Sequence, residues 1–469
     1  MNEFFLLMKS ELILTVIIFI LLFLKIGWEE TKQETVLSLV NFLLLINFVA
    51  GFFFNHEGTL FGDMFATNTL IAMEKNILNI GTLLISLQAY DWLKKHPHTI
   101  EFYLLLLSTL LGMYFMISSH NLLMFYLGLE LSTIPLAALS NFDLEKRRSS
   151  EAAMKFIMSS AFSSGLLLFG ISMLYGTTGT LGFSELTPLL TGSPLQIFAF
   201  ILLIAGFGFK ISAVPFHLWT ADVYEGSPVA VTSYLSVISK GAILFVMASV
   251  LFTVFKPLAD AWYNMLFLLS VLTMIIGNLF AIRQNNLKRF LAFSSIAQVG
   301  FILIGMSGSS QAATASIIYF VLIYIFSNLG AFGVVAVVSS VTGKENVDDY
   351  KGFYQSNPML ALMFTLSLFS LAGIPPTAGF FGKFFLLMSG AGKGNFLLIT
   401  IAALNMVVSL YYYLRIVKVM FMEQQNTPME KIGITFFPKL SLLACMAGII
   451  IIGFTSLLYD YIFSLSTSF

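Results

Sequence analysis

Four lysines and one glutamate interrupt long apolar stretches of this sequence, and they are the residues best suited to chemistry. They are Glu130 in LGLELSTIP, Lys155 in EAAMKFIMSS, Lys210 in GFGFKISAVPF, Lys240 in SVISKGAIL and Lys383 in AGFFGKFFL. Burial in an apolar environment favours the uncharged form of a lysine, whereas a nearby carboxylate favours the charged form. Groups of this kind that lie close together titrate as a coupled set. The pattern therefore favours a row of side chains that passes protons.

Each of these residues also has a purely structural interpretation. Glu130 could hold two helices together in an ion pair, because an unpaired charge inside a membrane costs several kcal/mol. Lys155 lies near the end of its apolar stretch, where a lysine can extend its ammonium group to the membrane surface. Lys210 and Lys383 lie beside Gly/Pro-rich segments that favour unwound backbone and water. Extension to the surface explains these two lysines less well.

Other polar residues in apolar surroundings give weaker indications. His217 follows Pro215 in VPFHLW, where a histidine either caps a helix end or relays protons. The remaining histidines lie in predicted loops or at a helix edge, so the deep pairs of axial ligands that a membrane haem needs are missing. GFFGKF around Lys383 departs from a phosphate-binding loop at its first glycine and at its Ser/Thr position. Glu74 and Lys75 are adjacent and point in different directions on a helix, so we expect structural or subunit-contact roles.

The composition is that of a membrane protein. Hydrophobic residues make up 58% of the 469 residues and charged residues only 10%, whereas soluble domains carry about 25% charged residues. The net charge is zero, which argues against nucleic acid as a partner. We therefore expect the chain to lie in a lipid bilayer, with no separate soluble domain.

Apolar stretches recur to the end of the sequence and predict an all-α polytopic protein with about fourteen transmembrane helices. Period-2 alternation is absent, which excludes a β-barrel. Basic residues concentrate in every second loop, for example Lys94, Arg147, Lys288 and Lys351. Those loops are predicted to be cytoplasmic by the positive-inside rule, and an even number of helices then places both termini on the outer side.

Two apolar segments are too long and too irregular for one straight helix. Residues 194–225 contain Gly206, Gly208 and Pro215, and residues 359–388 contain Gly373-Ile374-Pro375-Pro376. Such interrupted spans in the two halves of a chain are typical of inverted-repeat transporters. The interval from Lys210 to Lys383 also equals that from Lys155 to Asn328.

These breaks and intervals predict four parts. Residues 1–99 form helices 1–3, residues 100–255 the first five-helix repeat, residues 256–422 the inverted second repeat and residues 423–469 helix 14. Helices 7 and 12 are predicted to be discontinuous.

Three long motifs resemble the antiporter-like membrane subunits of respiratory complex I, the NADH–quinone oxidoreductase, and among these the subunit N family. They are FKISAVPFHLWTADVYEGSPVAVTSYLSVISK, NLKRFLAFSSIAQVGF and LAGIPPTAGFFGKFF. The resemblance implies that Glu130 is the fifth-helix acid that pairs with Lys210, and that Lys240 links two half-channels. It also implies that Lys383 lies near the exit. Gln298 stands where many relatives have histidine, so a relay at that position would need water.

The resemblance further implies a bacterial cytoplasmic (inner) membrane location and partner membrane subunits. No cofactor is expected in this chain; NAD, FMN, iron–sulfur clusters and quinone would belong to partner subunits. Three alternatives remain open at this stage. They are a subunit of a multisubunit cation/proton antiporter, a single-chain secondary transporter for an organic solute, and a structural spacer with frozen ion pairs.

Overall fold

The structure is a computed structural model that describes residues 2–27, 32–53, 55–392, 394–424 and 429–468. The N-terminal part contains a small antiparallel hairpin between its third and fourth helices, with Gly58 paired to Thr67. Its elements are α1 (Asn2–Leu7), α2 (Lys9–Gly27), α3 (Gln33–Ala50), β1 (Gly58–Leu60), β2 (Phe65–Thr67), α4 (Thr69–Gln88) and α5 (Tyr90–Leu93).

The remaining described chain is almost entirely helical. The next group comprises α6 (Thr99–Ile117), α7 (Leu122–Ser140), α8 (Arg147–Thr178), α9 (Phe183–Leu186), α10 (Pro194–Ile211), α11 (Leu218–Gly226), α12 (Val229–Ser233) and α13 (Lys240–Thr253). A π-helical segment, Tyr234–Ser239, joins α12 to α13. The last groups comprise α14 (Ala259–Ile282), α15 (Leu287–Gly305), α16 (Ser310–Thr342), α17 (Phe353–Ser356), α18 (Pro358–Ala372), α19 (Ala378–Ala391), α20 (Phe396–Met422), α21 (Phe436–Phe454) and α22 (Leu457–Leu465).

The prediction of a polytopic all-α fold is confirmed. Within the described residues, 13 helical spans are long and apolar enough to cross a membrane. The shorter apolar helices α18 and α19 follow one another and together make a further, interrupted span. This agrees with the expected count of about fourteen.

Burial separates an inner set of helices from an outer one. In the apolar parts of α15, of α16 and of residues 229–253, 94%, 89% and 89% of the residues are buried within the protein. In α2 the corresponding share is only 22%. Outer helices expose large apolar side chains such as Phe23, Phe162 and Val407. An apolar surface of this kind is stable against lipid or another apolar subunit and not against water.

Both predicted helix breaks are present. The chain leaves α10 at Ser212, with φ of 63°, and resumes helical structure at Leu218 in α11. It leaves α18 at Gly373, with φ of 85°, and resumes at Ala378 in α19. Left-handed backbone at these positions ends each helix within the apolar segment.

Lys210 and Lys383 lie on different sides of their helix breaks, which weakens the prediction of repeats from equal intervals along the chain. Lys210 lies in the last turn of α10, before its break, whereas Lys383 lies in α19, after the other break. Equal spacing along the chain therefore does not give these two lysines equivalent places relative to the breaks. The division into repeats stays a prediction.

Candidate functional site in the buried lysine row

The first centre lies between α7, α8 and the end of α10. Lys210 is 8% exposed, and its Nζ donates to Thr133 Oγ1 and to Ser160 Oγ, each at 2.8 Å. Thr133 follows Glu130 by three residues, so both lie on one face of α7. Glu130 Oε1 is buried and accepts no hydrogen bond from any described residue. Glu130 and Lys210 therefore both lie at one face of α7. The ion pair between them that the resemblance implies is not formed in this structure.

The break after Lys210 is held by specific hydrogen bonds. The amide of Ala213 donates to the Gly208 carbonyl at 2.8 Å, and the indole Nε1 of Trp219 donates to the Phe209 carbonyl at 3.1 Å. The Ser212 amide donates to the same two carbonyls, so the acceptors at the end of α10 are fully used. The partial negative charge of a helix C-terminus also favours a cation in the last turn, where Lys210 lies.

The second centre surrounds Lys240, at the junction of the π-helical segment with α13. Lys240 is 1% exposed, and its Nζ donates to Ser295 Oγ at 2.8 Å. The ammonium group lies 5.5 Å from the centre of the Tyr224 ring, a distance at which a cation is attracted to the ring face. π-Helical turns occur frequently at functional sites.

The third centre surrounds Lys383 on α19. Lys383 is 1% exposed, and its Nζ donates to the carbonyls of Leu371 at 2.8 Å and Ala372 at 3.2 Å. Its Nζ also lies 4.8 Å from the centre of the Phe301 ring. Gln298 Nε2 donates to the same Leu371 oxygen at 2.8 Å. The break after α18 therefore supplies free carbonyls that bind both side chains.

Helix α15 connects the second and third centres. Ser295, which accepts the Lys240 hydrogen bond, and Gln298, which shares an acceptor with Lys383, are three residues apart. Residues at this spacing project from one face of a helix, one turn apart. Among the described residues, no side chain hydrogen-bonds to both Lys210 and Lys240, so the first centre has no such bridge.

The remaining predicted site residues lie apart from this row. Lys155 has a side chain that is 44% exposed, and it pairs with Glu151 at 2.8 Å and Asp222 at 2.6 Å. Arg289 also binds Asp222, at 2.7 Å. Lys155 is thus part of a partly exposed charge network, which agrees with the interpretation of a lysine that reaches the membrane surface.

His217 and the prolines belong to the breaks themselves. His217 occupies the N-cap position of α11 but makes no side-chain capping hydrogen bond. Its Nδ1 is buried without a partner in the described part of the chain, so a capping role is not supported. Pro215 lies in the connection between α10 and α11, and Pro375 in the connection between α18 and α19.

Two ion pairs that involve buried lysines escaped the sequence analysis. Lys75 Nζ lies 2.6 Å from Glu11 Oε1, with side chains only 3% and 1% exposed. This pair links α2 to α4 and gives Lys75 the structural role that was expected of it. Lys288 Nζ lies 3.2 Å from Glu345 Oε1. The sequence showed that Lys75 lies within an apolar stretch, but in both pairs the choice of partner depends on the fold.

A cavity of about 500 Å³ lies beside the Lys288–Glu345 pair. Its lining includes Asp91, Arg148, Glu225, Lys288 and Glu345. Ser233, which directly precedes the π-helical segment that leads to Lys240, also lines the cavity. Polar groups of both signs surround this space, so water and small ions can enter it.

A helical bundle with two broken spans and a row of buried lysines defines an antiporter-like membrane subunit. The chain belongs to the NADH:quinone oxidoreductase/Mrp antiporter transmembrane family, whose profile matches residues 119–409. The expected family membership is therefore confirmed.

Two relatives align with this chain over most of its length. NADH-quinone oxidoreductase subunit N of Phocaeicola vulgatus is 46% identical, and the alignment covers 97% of each chain. NAD(P)H-quinone oxidoreductase subunit 2 of Synechococcus sp. is 37% identical over 88% of this chain and 79% of the relative.

Solved structures show the same architecture. A chain of respiratory complex I from Thermus thermophilus with bound aureothin superposes with a TM-score of 0.81 at 27% identity, covering 95% of this chain and 96% of that one. A chain of the Mrp complex from Dietzia sp. superposes with a TM-score of 0.87 at 18% identity, covering 98% and 96%. The second likeness concerns the fold alone.

Proposed function

We propose that this chain is a proton-translocating membrane subunit of a complex I-type NADH–quinone oxidoreductase. Glu130, Lys210, Lys240 and Lys383 would take up and release protons as the charge on their neighbours changes. Quinone reduction would take place in partner subunits and would drive these charge changes. The proposal is supported by the names of the relatives and by the chemistry of the buried lysine row.

One observation carries the proposal: the three lysines of the row have neutral partners. Lys210 binds two hydroxyls, Lys240 binds one hydroxyl and Lys383 binds two backbone carbonyls. None of the three forms an ion pair with any described carboxylate. Lys240 and Lys383 can therefore lose a proton without leaving a buried carboxylate uncompensated. Lys210 differs, because the unpartnered Glu130 carboxylate lies on the same face of α7 as its partner Thr133.

Two other lysines of this protein have carboxylates as partners instead of neutral groups. Lys75 and Lys288 are also buried, but each has a carboxylate within 3.2 Å. The Glu11–Lys75 pair keeps both charges in place, because removal of either charge leaves the other alone in an apolar environment. The contrast separates lysines suited to exchange protons from lysines suited to hold helices together.

We assign the redox cofactors to partner subunits. NAD, FMN, iron–sulfur clusters and quinone would be bound there, since the relatives are named as subunits of a multisubunit oxidoreductase. The surrounding lipid bilayer and other membrane subunits would cover the exposed apolar side chains of the outer helices.

We also propose that the membrane is the bacterial cytoplasmic membrane and that both termini lie on its outer side. Basic residues such as Lys94, Lys146 and Arg289 lie at one end of the helices, which the positive-inside rule assigns to the cytoplasm. The inverted repeats at residues 100–255 and 256–422 belong to the same proposal. The presence of one broken span in each half supports them.

The main alternative is a subunit of a multisubunit cation/proton antiporter, whose fold is shared by the Mrp chain. Purification of the tagged chain from native membranes tests this directly. Co-purifying flavin and iron–sulfur subunits support the oxidoreductase, and a complex without them supports the antiporter. A single-chain solute transporter would instead function after reconstitution without any partner.

A further inference from the structure

Helix α4 carries a buried polar stripe that is separate from the lysine row. Lys75, Asn79, Thr82 and Ser86 follow one another at intervals of four, three and four residues, so they share one face of the helix. Each of them is at most 3% exposed. From Lys75 to Ser86 the helix rises ~16 Å, which is about half of a ~30 Å hydrocarbon core.

Helices α3 and α6 supply partners for this stripe. Ser86 Oγ donates to Asn41 Oδ1 of α3 at 2.6 Å and lies 2.7 Å from Tyr103 Oη of α6. Asn79 Nδ2 donates to the Leu44 carbonyl of α3 at 3.2 Å. The stripe of α4 and these partners are therefore enclosed between three helices, and together they are called the N-terminal column below.

Two buried amide atoms of the N-terminal column have no hydrogen-bond partner among the described residues: Asn41 Nδ2 and Asn79 Oδ1. Asn41 is bonded to Ser86, which follows Asn79 by seven residues, or ~10 Å along the helix. The nitrogen needs an acceptor and the oxygen needs a donor. Water supplies both, and buried polar groups in native proteins are paired with protein or with ordered water.

The inner end of the N-terminal column lies beside the 500 Å³ cavity described above. Ala89 follows Ser86 by three residues, at the C-cap of α4, and so continues the same face. Ala89 and Gln88 both line that cavity. Water in the cavity therefore comes within one helical turn of the polar group at the inner end of the column.

The Glu11–Lys75 pair stands at the other end of the N-terminal column. Lys75 Nζ lies 2.6 Å from Glu11 Oε1 and 5.2 Å from the centre of the Phe65 ring, which is fully buried in β2. Lys9, two residues before Glu11, is already partly exposed. The ion pair and the ring thus separate the column from solvent. A fixed positive charge beside a narrow polar path opposes the entry of protons and other cations.

We propose that the N-terminal column holds water and is a second polar route through the bundle, which the Glu11–Lys75 pair keeps closed to protons. The pair gives up no proton itself, because it acts through its fixed charge and by filling space. A closed column would preserve the gradient that proton translocation builds. The inference goes beyond the proposed function, since it concerns passive conductance and requires no turnover of the oxidoreductase.

The test compares two double variants of the pair in the whole complex. Glu11→Ala/Lys75→Ala removes both charges and leaves space beside the column that water can fill. Glu11→Leu/Lys75→Leu removes the same charges but fills the space with apolar side chains. Assembled complexes are reconstituted into liposomes, and the decay of an imposed pH gradient is followed with a fluorescent dye in the absence of NADH.

We expect the alanine pair to speed the decay of the gradient about tenfold, equivalent to ~1.4 kcal/mol on the barrier. The leucine pair should keep the wild-type rate. Asn79→Leu, added to the alanine pair, places an apolar side chain in the middle of the column and should restore the slow decay. Wild-type decay with the alanine pair would overturn the proposal, and so would a leak that persists after Asn79→Leu is added.

A high-resolution cryo-electron microscopy map of the wild-type complex gives a second readout that does not depend on any variant folding. Water peaks within hydrogen-bonding distance of Asn41 Nδ2 and Asn79 Oδ1 are expected. A map that resolves other buried waters but none at these two atoms would overturn the proposal. Because neither measurement uses NADH, both outcomes are independent of whether the lysine row translocates protons.

Discussion

Lys383 and Gln298 donate hydrogen bonds to the same oxygen, the carbonyl of Leu371, and each bond is 2.8 Å long. This carbonyl lies in the last turn of α18, where no further helical amide is available to bind it. The helix break thereby binds a cation and orients an amide at once. Interrupted helices at membrane depth are tolerated where they are buried in protein or line a polar cavity, and the break in this protein serves both side chains.

We expect Gly128→Ala to disturb the first centre by pushing α7 away from α6. A Cβ atom at Gly128 would lie 2.7 Å from the Met116 amide nitrogen, and helices that approach this closely require small residues. Overpacking of this kind costs about 1–3 kcal/mol, and Glu130 follows Gly128 by only two residues. The amount of assembled subunit and the pumping per assembled complex should both fall.

Gly165→Ala is the control for that experiment. Gly165 lies within α8, and a Cβ atom there would meet no heavy atom within 4 Å. This variant should assemble and pump like the wild type. Equal loss in the two alanine variants would contradict the close packing of α6 and α7 as the cause.

The Glu11–Lys75 pair should contribute to stability without taking part in proton transfer. Glu11→Leu leaves the Lys75 ammonium group buried without its partner, and we expect destabilisation of about 3–5 kcal/mol. The double variant Glu11→Leu/Lys75→Leu should recover most of that loss. Thermal unfolding of the purified complex in detergent measures both effects. Simple addition of the two single-variant losses would contradict a coupled pair.

Lys155 and Lys210 should respond differently to the same change. Lys155→Met removes a charge from a partly exposed network in which Arg289 still binds Asp222, and exposed ion pairs contribute only about 0–1 kcal/mol. Pumping by Lys155→Met should therefore stay within about twofold of wild type, because no buried charge is left uncompensated. The same vesicle assay measures it, and a loss as large as that of Lys210→Met would return Lys155 to the proton path.

Sequence alone predicted the helix breaks, because glycine and proline act locally. Gly373 adopts the left-handed backbone that favours glycine, with φ of 85°, and α10 ends at Ile211, four residues before Pro215. The burial of Lys210, Lys240 and Lys383 was also predictable, since long apolar stretches flank each of them. These features depend only on neighbours in the chain.

Partners could not be predicted in the same way. Lys155 and Lys210 both follow apolar residues, but only the fold brings Asp222 to Lys155 and Thr133 to Lys210. Glu11 lies in the first turn of α2, and nothing in the sequence indicated that Lys75 would pack against it. The contact between Gln298 and the Leu371 carbonyl likewise depends on how α15 packs beside the end of α18.

Proton pumping by Lys210→Met and Lys383→Met complexes, measured in inverted membrane vesicles at matched assembly, tests the central claim most directly. Lys155→Met serves as the control for loss of a lysine. The account predicts that both buried-row variants lower pumping about tenfold or more, as expected when one step of a coupled path gains at least ~1.4 kcal/mol of barrier. NADH–quinone turnover should fall with it. Wild-type pumping and turnover in both variants would contradict a proton path through these lysines and would leave the chain with a structural role.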